Sequence, residues 1–428
     1  MSRPLPEPTN TPGSEFTRRE LLADLGPGVA ALGMLGLMHG TVSAEETDLG
    51  ALAKEPLDSI RKHFMLEKNL AYMNNGSLGP CPAYVLQETM KAWRELEANP
   101  VSLGYGPFIK RMEEVRRKAA AFLGCDFSEM AITSCTTESM NMVAQGMDLQ
   151  PGDHVLTTDH EHAGGAECWR YYAKRRGVII DKVKLPLLPG GADELVELFR
   201  KAMTQKTRAI SVSHVTYTTG LRLPVKQLSK LALSQGCTLV VDGAQGPGGL
   251  QVDVKDLGCD TYATSAHKWM LAPKGTGLLY IRKEAQKRIR PMALEGGYRV
   301  YSGAVGTRNI PTIVGLGFAM DFLNAIGRER IEGHSLALRK QLFKSLQKIG
   351  GIKVVSVEAD EMSSPLVSVA LPDGVRNSAV AAALQSKHGV VVKVLSGPVR
   401  NGLRVSTHVY NTRDDIERLC AGLRGEIG

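Results

Sequence analysis

The 428 residues contain no block that concentrates positive charge, although Lys and Arg exceed the acids and the formal net charge is +8. No basic stripe is interleaved with aromatics. The excess reads as a diffuse basic surface, and a nucleic-acid footprint is excluded. Cysteine is sparse and scattered: Cys81, Cys125, Cys135, Cys168, Cys237, Cys259 and Cys420 form no CxxC pair. That excludes a small disulfide scaffold, and most are expected to be buried thiols. Beyond residue 44 no apolar run is long enough to cross a bilayer. What remains is ordinary globular composition, 43% hydrophobic and 22% charged. The chain is too long for one simple core, so a large domain and a smaller one are expected.

The most informative stretch runs from Cys237 to Glu284. Cys237 to Val241 is a short, β-branched apolar run, the signature of a buried parallel strand. Asp242 follows at its C-terminal end, where open α/β sheets place their ligands. A second strand-like run, Thr261 to Ser265, precedes Ala266-His267-Lys268-Trp269 and a Pro/Gly turn, Pro273 to Gly277. An acid and an amine at neighbouring strand ends suit a cofactor with two handles. A pyridine nitrogen takes a carboxylate, and an aldehyde takes an amine as a Schiff base.

The pattern Asp242-x-x-Gln245, Ser265-Ala266-His267-Lys268-Trp269 and Ala272-Pro273-Lys274-Gly275 resembles the class V aminotransferase family of fold-type I pyridoxal 5'-phosphate enzymes. Within it, isopenicillin N epimerase-like proteins are the subgroup of nearest likeness. The resemblance implies that Lys268 is the Schiff-base lysine, Asp242 pairs with the pyridine nitrogen, Gln245 contacts the O3′ side and His267 sits beside the phosphate. It also assigns Thr136 and Thr137, at the start of the helix Met140 to Met147, to the phosphate. Locally an ordinary Ser/Thr N-cap explains that segment equally well. His162 falls where relatives stack a ring on the pyridine, and Tyr217 where relatives bond O3′. Asn75 and Gly76 match the active-site entrance, and Arg404 matches the arginine that grips the substrate α-carboxylate. Thr307 matches a threonine that reaches the neighbouring subunit's phosphate, so a homodimer with a shared active site is implied. Asp159-His160-Glu161-His162 alternates metal-ligand types, but no further ligand lies at recognisable spacing, and no metal is expected.

Four segments are expected. Residues 1–44 carry Thr17-Arg18-Arg19-Glu20-Leu21-Leu22, a mild apolar stretch and Val42-Ser43-Ala44, the pattern of a twin-arginine signal peptide cleaved after Ala44. That implies export by the twin-arginine machinery to the periplasm or exterior. An N-terminal segment (45–80) leads to a large domain (81–310) in which strands and helices alternate from about residue 130 to 281. This implies a mostly parallel sheet with right-handed crossovers, the aspartate aminotransferase-like α/β fold of the family. A smaller α/β domain (311–428) follows. Within 81–98, Val85, Leu86, Met90, Trp93 and Leu96 are expected on the apolar side of a helix. Ser102 to Phe108, with Tyr105, reads as a Gly-rich loop.

The resemblance implies chemistry at Cα of an amino acid, epimerase-like first. Transamination, C–S lysis and, from another class, a non-catalytic scaffold stay as alternatives. Desulfurases of the family carry a nucleophilic Cys before the terminal arginine. Here the loop Val394 to Gly402 has none.

Overall fold

The computed structural model describes residues 47–427. The twin-arginine segment and its cleavage site lie outside them. Near the start, strand β1 (Ala71–Tyr72) leads into the helix Ala83–Ala98. The large sheet then comprises β2 (Met130–Thr133), β3 (His154–Thr158), β4 (Ile179–Val183), β5 (Thr207–Ser213), β6 (Thr238–Asp242), β7 (Thr261–Ser265) and β8 (Gly277–Ile281), in the order β2-β8-β7-β6-β5-β3-β4. Only β8 runs against the rest. The sheet is therefore mostly parallel, as the alternation of elements implies. Helices cover it, and β5 to β8 are buried at almost every position, which is why β6 and β8 read as apolar runs.

The order of strands opens the site. The chain leaves β3 outward to β4, then returns to β5 and proceeds to β6 and β7 in the opposite direction. The loops at the C-terminal ends of β3 and β5 thus part, and a crevice forms between them.

A second sheet is built from β9 (Lys353–Val354), β10 (Leu366–Ala370), β12 (Lys393–Val394) and β13 (Gly402–Ser406), in the antiparallel order β12-β13-β10-β9. The short strand β11 (Val390–Val391) pairs instead with β1, so the segment before residue 80 is tied to the C-terminal part of the chain. The helix Ile310–Ile326 is apolar on every side and packs in the large core with the helices Ala83–Ala98 and Pro107–Leu123. Gly327, with φ 98°, turns the chain into the helix Arg328–Gln347, whose Leu338, Leu342 and Leu346 belong to a second hydrophobic cluster shared with β10 and β13.

Two local expectations are corrected. Pro100–Gly104 is a short helix capped by Asn99, and Pro107 opens the next helix, so Ser102 to Phe108 is mostly helical. Helix Ala83–Ala98 buries Val85, Thr89, Ala92 and Leu96, while Leu86, Met90 and Trp93 face outward. The cause is close packing: Thr89 lies against Gly315 of the partner helix, an approach that admits only small residues.

Candidate active site

Strands β6 and β7 are hydrogen-bonded neighbours, so Asp242, the last residue of β6, and Lys268, three residues past β7, emerge at one edge. Both line a cavity of about 650 Å³ at the crevice, together with His162 after β3 and Ser213 at the end of β5. Leu271, just beyond the lysine, is fully buried at φ 55°, a left-handed conformation rare for leucine that the packed core holds in place.

Asp242 is 6% exposed, and its Oδ1 accepts from Ala244 N at 3.0 Å. Burial raises its pKa, against the opposing pull of that N–H and of the Lys268 charge. Burial likewise lowers the pKa of Lys268, against the attraction of Asp242. The two form no ion pair within 4 Å among the described residues, so each charge lacks a direct partner. Both face one cavity, where a group gripped from both ends could sit.

The helix Thr136–Gly146 points its N-terminus at the same space. Cys135 holds the N-cap position with no side-chain cap bond, and Glu138 is drawn away to Ser134 Oγ at 2.6 Å. Thr136 is fixed by Ser265, its N donating to Ser265 Oγ at 2.9 Å with the two hydroxyl oxygens 2.8 Å apart. This end of the helix is thus open to an anion. His267 faces the cavity too, and its Nδ1 is buried without a partner.

His162 caps the helix Ala163–Arg176 by accepting from Gly164 N on Nδ1 at 3.0 Å. Loss of solvent, then the charges of Lys268, Arg404 and Lys393, push its pKa down to about 4, so the ring is neutral at pH 7. The Tyr217 ring stands edge-on to it, centroids 5.0 Å apart. Gln245 is held at both ends: Trp269 Nε1 donates to its Oε1 at 2.7 Å, and its Nε2 donates to Gly76 O at 2.8 Å.

Arg404, on β13, is 2% exposed. It donates to Tyr217 O at 2.9 Å, Ser77 Oγ at 3.1 Å and Asn74 Oδ1 at 3.4 Å. Its Nε is unpartnered, and no carboxylate of the described residues lies within 4 Å. Burial lowers its pKa to about 10, still a cation at pH 7.

These groups fit pyridoxal phosphate. The buried Asp242 matches a ring cation, Lys268 an aldehyde, and the open helix end with the orphaned His267 nitrogen a phosphate. Two glycines that the sequence reading passed over complete the cradle. A Cβ on Gly164 would stand 2.5 Å from Thr137 Oγ1, and one on Gly165 2.5 Å from Asp242 Oδ2. Their signal was the Gly-Gly pair at a helix start just after a strand.

Most of the proposed site residues meet at this cavity: Lys268, Asp242, Gln245, His267, Thr136, Thr137, His162, Tyr217 and Arg404 all line it. Two do not. Asn75 is fully buried behind the wall, its Oδ1 accepting from Tyr410 Oη at 3.1 Å, and Gly76 and Ser77 take its place at the surface of the cavity. Thr307 lies in a separate surface pocket of about 310 Å³, its hydroxyl 2.9 Å from that of Tyr105.

Also missed in sequence was the role of Glu161. It accepts from Ser213 Oγ at 2.6 Å and Thr158 Oγ1 at 2.7 Å. Burial raises its pKa to about 7 in spite of those bonds, and the nearby Asp242 charge adds to the rise. His160 turns instead to Thr218, its Nδ1 2.5 Å from Thr218 Oγ1, with Asp159 Oδ1 3.9 Å from its Nε2.

A family model described as aminotransferase class-V matches residues 71–419. The chain belongs to that family. It is therefore a pyridoxal phosphate-dependent α/β protein of fold type I, which agrees with the cavity. Among curated relatives, isopenicillin N epimerase of Amycolatopsis lactamdurans is 31% identical over 85% of this chain and 97% of its own length. A probable cysteine desulfurase of Methanothermobacter thermautotrophicus is 28% identical over 85% and 96%. Among solved structures, the apo cysteine desulfurase of Thermococcus onnurineus superimposes with a TM-score of 0.75 at 26% identity, covering 86% of this chain and 97% of that one. A cystine C–S lyase in complex with cysteine persulfide reaches 0.78 at 24% identity, covering 84% and 99%, a likeness of fold.

Proposed function

We propose that this class V enzyme acts at Cα of an amino acid in the manner of an isopenicillin N epimerase. The observation that carries the amino-acid reading is Arg404: a buried guanidinium on the cavity wall with no carboxylate within 4 Å among the described residues. Such a group costs stability unless a carboxylate completes it.

When bound, pyridoxal phosphate supplies an amine-reactive aldehyde and an electron-poor ring that accepts charge from the substrate carbon. The chain's residues divide the remaining work. Asp242 holds a proton at the pyridine nitrogen. Thr136, Thr137 and His267 would hold the phosphate, and Gln245, Tyr217 and the neutral His162 ring would contact the pyridine ring and its substituents. Arg404 fixes the α-carboxylate and thereby which bond of Cα faces Lys268. Lys268 Nζ, favoured as a neutral amine by burial, takes the Cα proton.

Epimerisation and transamination share these steps and differ in where the proton returns. The identity to the epimerase over nearly its full length favours the first. Persulfide chemistry through a loop thiol is disfavoured, because Leu395 and Ser396 of the Val394 to Gly402 loop line the cavity and that loop has no Cys.

Incubation with a panel of L-amino acids in deuterated water tests the reading, with and without a keto acid. Racemisation with deuterium at Cα and no acceptor requirement supports it, and acceptor-dependent turnover moves it to transamination. A protein that takes up no cofactor and exchanges no proton is a scaffold, and the proposal fails.

We further propose a homodimer. Thr307 stands outside its own chain's cavity, and the outward stripe of Leu86, Met90 and Trp93 is unpartnered among the described residues. Sedimentation giving a monomer at micromolar concentration counts against it. Export rests on Arg18-Arg19 and Val42-Ser43-Ala44, and it predicts a mature chain beginning near Glu45 outside the cytoplasm.

A further inference from the structure

Inversion at a carbon needs protic groups on both of its faces, and the reading above names only Lys268. The second group must hold a proton at neutral pH and approach from the other side of the cavity. The strand order narrows the search. Lys268 follows β7 on one side of Asp242, while the segments after β5 and β3 enter on the other side and bring Tyr217 and His162 to the cavity.

His162 is disqualified by its own bonding. Its Nδ1 already accepts from Gly164 N, so in the neutral ring the proton sits on Nε2. That leaves no free lone pair to take a proton and no acidic proton to give. Three serines of the wall are engaged elsewhere: Ser213 donates to Glu161, Ser77 accepts from Arg404, and Ser265 pairs with Thr136.

Tyr217 has the required features. Its ring stands between the edge of His162, centroids 5.0 Å apart, and the apolar cluster of Val355, Leu395 and Val399. Its carbonyl accepts from Arg404 at 2.9 Å, which ties it to the group assigned to the α-carboxylate and hence to Cα. Burial raises the phenol's pKa and so keeps it protonated at rest. The Arg404 charge opposes that rise, which favours the phenolate once the proton has left, while Glu161 adds to it.

We infer that Tyr217 is the second catalytic acid of the epimerisation, giving its hydroxyl proton to the face of Cα opposite the one that Lys268 deprotonates. The inference rests on the epimerase reading and supplies the group which that reading lacks. The Cα–H bond breaks to Lys268 Nζ, and its electron pair stays with the carbon. The Tyr217 O–H bond then breaks, a C–H bond forms from that pair on the other face, and the phenolate remains beside Arg404. A proton passing from the Lys268 ammonium through water to the phenolate restores both groups, with no net change of oxidation state.

Tyr217→Phe keeps the ring and removes only the hydroxyl. The cofactor-loaded wild type and variant are incubated in deuterated water with the L-amino acid of the panel that wild type racemises. In wild type, deuterium should enter with inversion. In Tyr217→Phe it should enter the recovered L-isomer, because Lys268 returns it to the face it left, and the ratio of inverted to retained product should fall by about 10²-fold. The D-isomer separates catalysis from structure. The same oxygen must remove its proton, so exchange from the D-isomer should be lost in the variant while exchange from the L-isomer persists. Equal loss from both isomers, or a wild-type ratio in the variant, overturns the inference and leaves the epimerase reading standing. A wild type that racemises no amino acid overturns both. Cofactor-free protein gives a readout without turnover: at neutral pH the absorbance difference between wild type and Tyr217→Phe should be that of a neutral phenol. A phenolate signature there overturns the inference, since such a group has no proton to give.

Discussion

The two sheets that meet at the cavity are built differently, and they contribute different things. The large sheet is seven strands deep, nearly all parallel, and presents Asp242, Ser213 and the turn bearing Lys268 from fully buried strand ends. The small sheet is four antiparallel strands, two of them only two residues long, and presents Arg404 and Lys393. Parallel strands buried on both faces hold their tips rigidly, as reacting groups require. Short antiparallel strands tolerate exchange of side chains on one face. The lesson is a division of labour within the proposed function: the parallel sheet carries the groups assigned to the cofactor, and the antiparallel sheet carries the arginine assigned to the substrate carboxylate.

The largest expected effect belongs to the first side. Lys268→Ala should lower turnover by about 10³-fold or more and remove the borohydride-sensitive adduct, with the fold intact by circular dichroism. An adduct that persists would place the reactive amine elsewhere. Arg404→Gln tests the second side. It should cost about 10²-fold in kcat/KM for every amino acid and leave cofactor uptake near wild type. If cofactor uptake collapses instead, the two sheets do not divide the work as described.

Smaller effects sharpen the boundary. Gly165→Ala pushes a methyl against Asp242 Oδ2, so it should weaken cofactor retention on dialysis and cost about 1–3 kcal/mol in denaturant melts. Gly333→Ala, a helical site where nothing lies within 4 Å, should by contrast stabilise by about 0.5–1 kcal/mol. Glu161→Gln addresses pH. The carboxyl's folded pKa, about 7, lies above the ordinary value of 4.5. The folded state therefore binds the proton more tightly, so its contribution is most favourable below pH 4.5 and is lost as pH rises through 7. Cofactor-free Glu161→Gln should lack that decline and exceed wild type at pH 8 by on the order of 2 kcal/mol, read as the difference between melts at pH 5 and 8.

Much of this was legible because it is local. A strand is recognisable by its own residues, and a catalytic group placed directly after one inherits its position. Asp242 and the Lys268 turn could therefore be read in sequence, as could the alternation that makes the sheet mostly parallel. The helix Ala83–Ala98 shows where that legibility stops. Its hydrophobic periodicity favoured Leu86, Met90 and Trp93 for the core. The inner face was decided instead by Gly315, 226 positions beyond Thr89, whose bare backbone draws the helices together.

The sequence by itself determined the cofactor chemistry and the class of fold, since each depends on residues adjacent to a strand end. Only the tertiary structure decided that Arg404 has no carboxylate within 4 Å among the described residues, that Lys393 stands across from it, that Asn75 is buried away from the cavity, and that Glu161 pairs with Ser213 beside Asp242. Those facts come from strand register and from crossovers joining residues far apart in the chain. No local pattern encodes such distances, because the free energy that fixes them belongs to the packed whole.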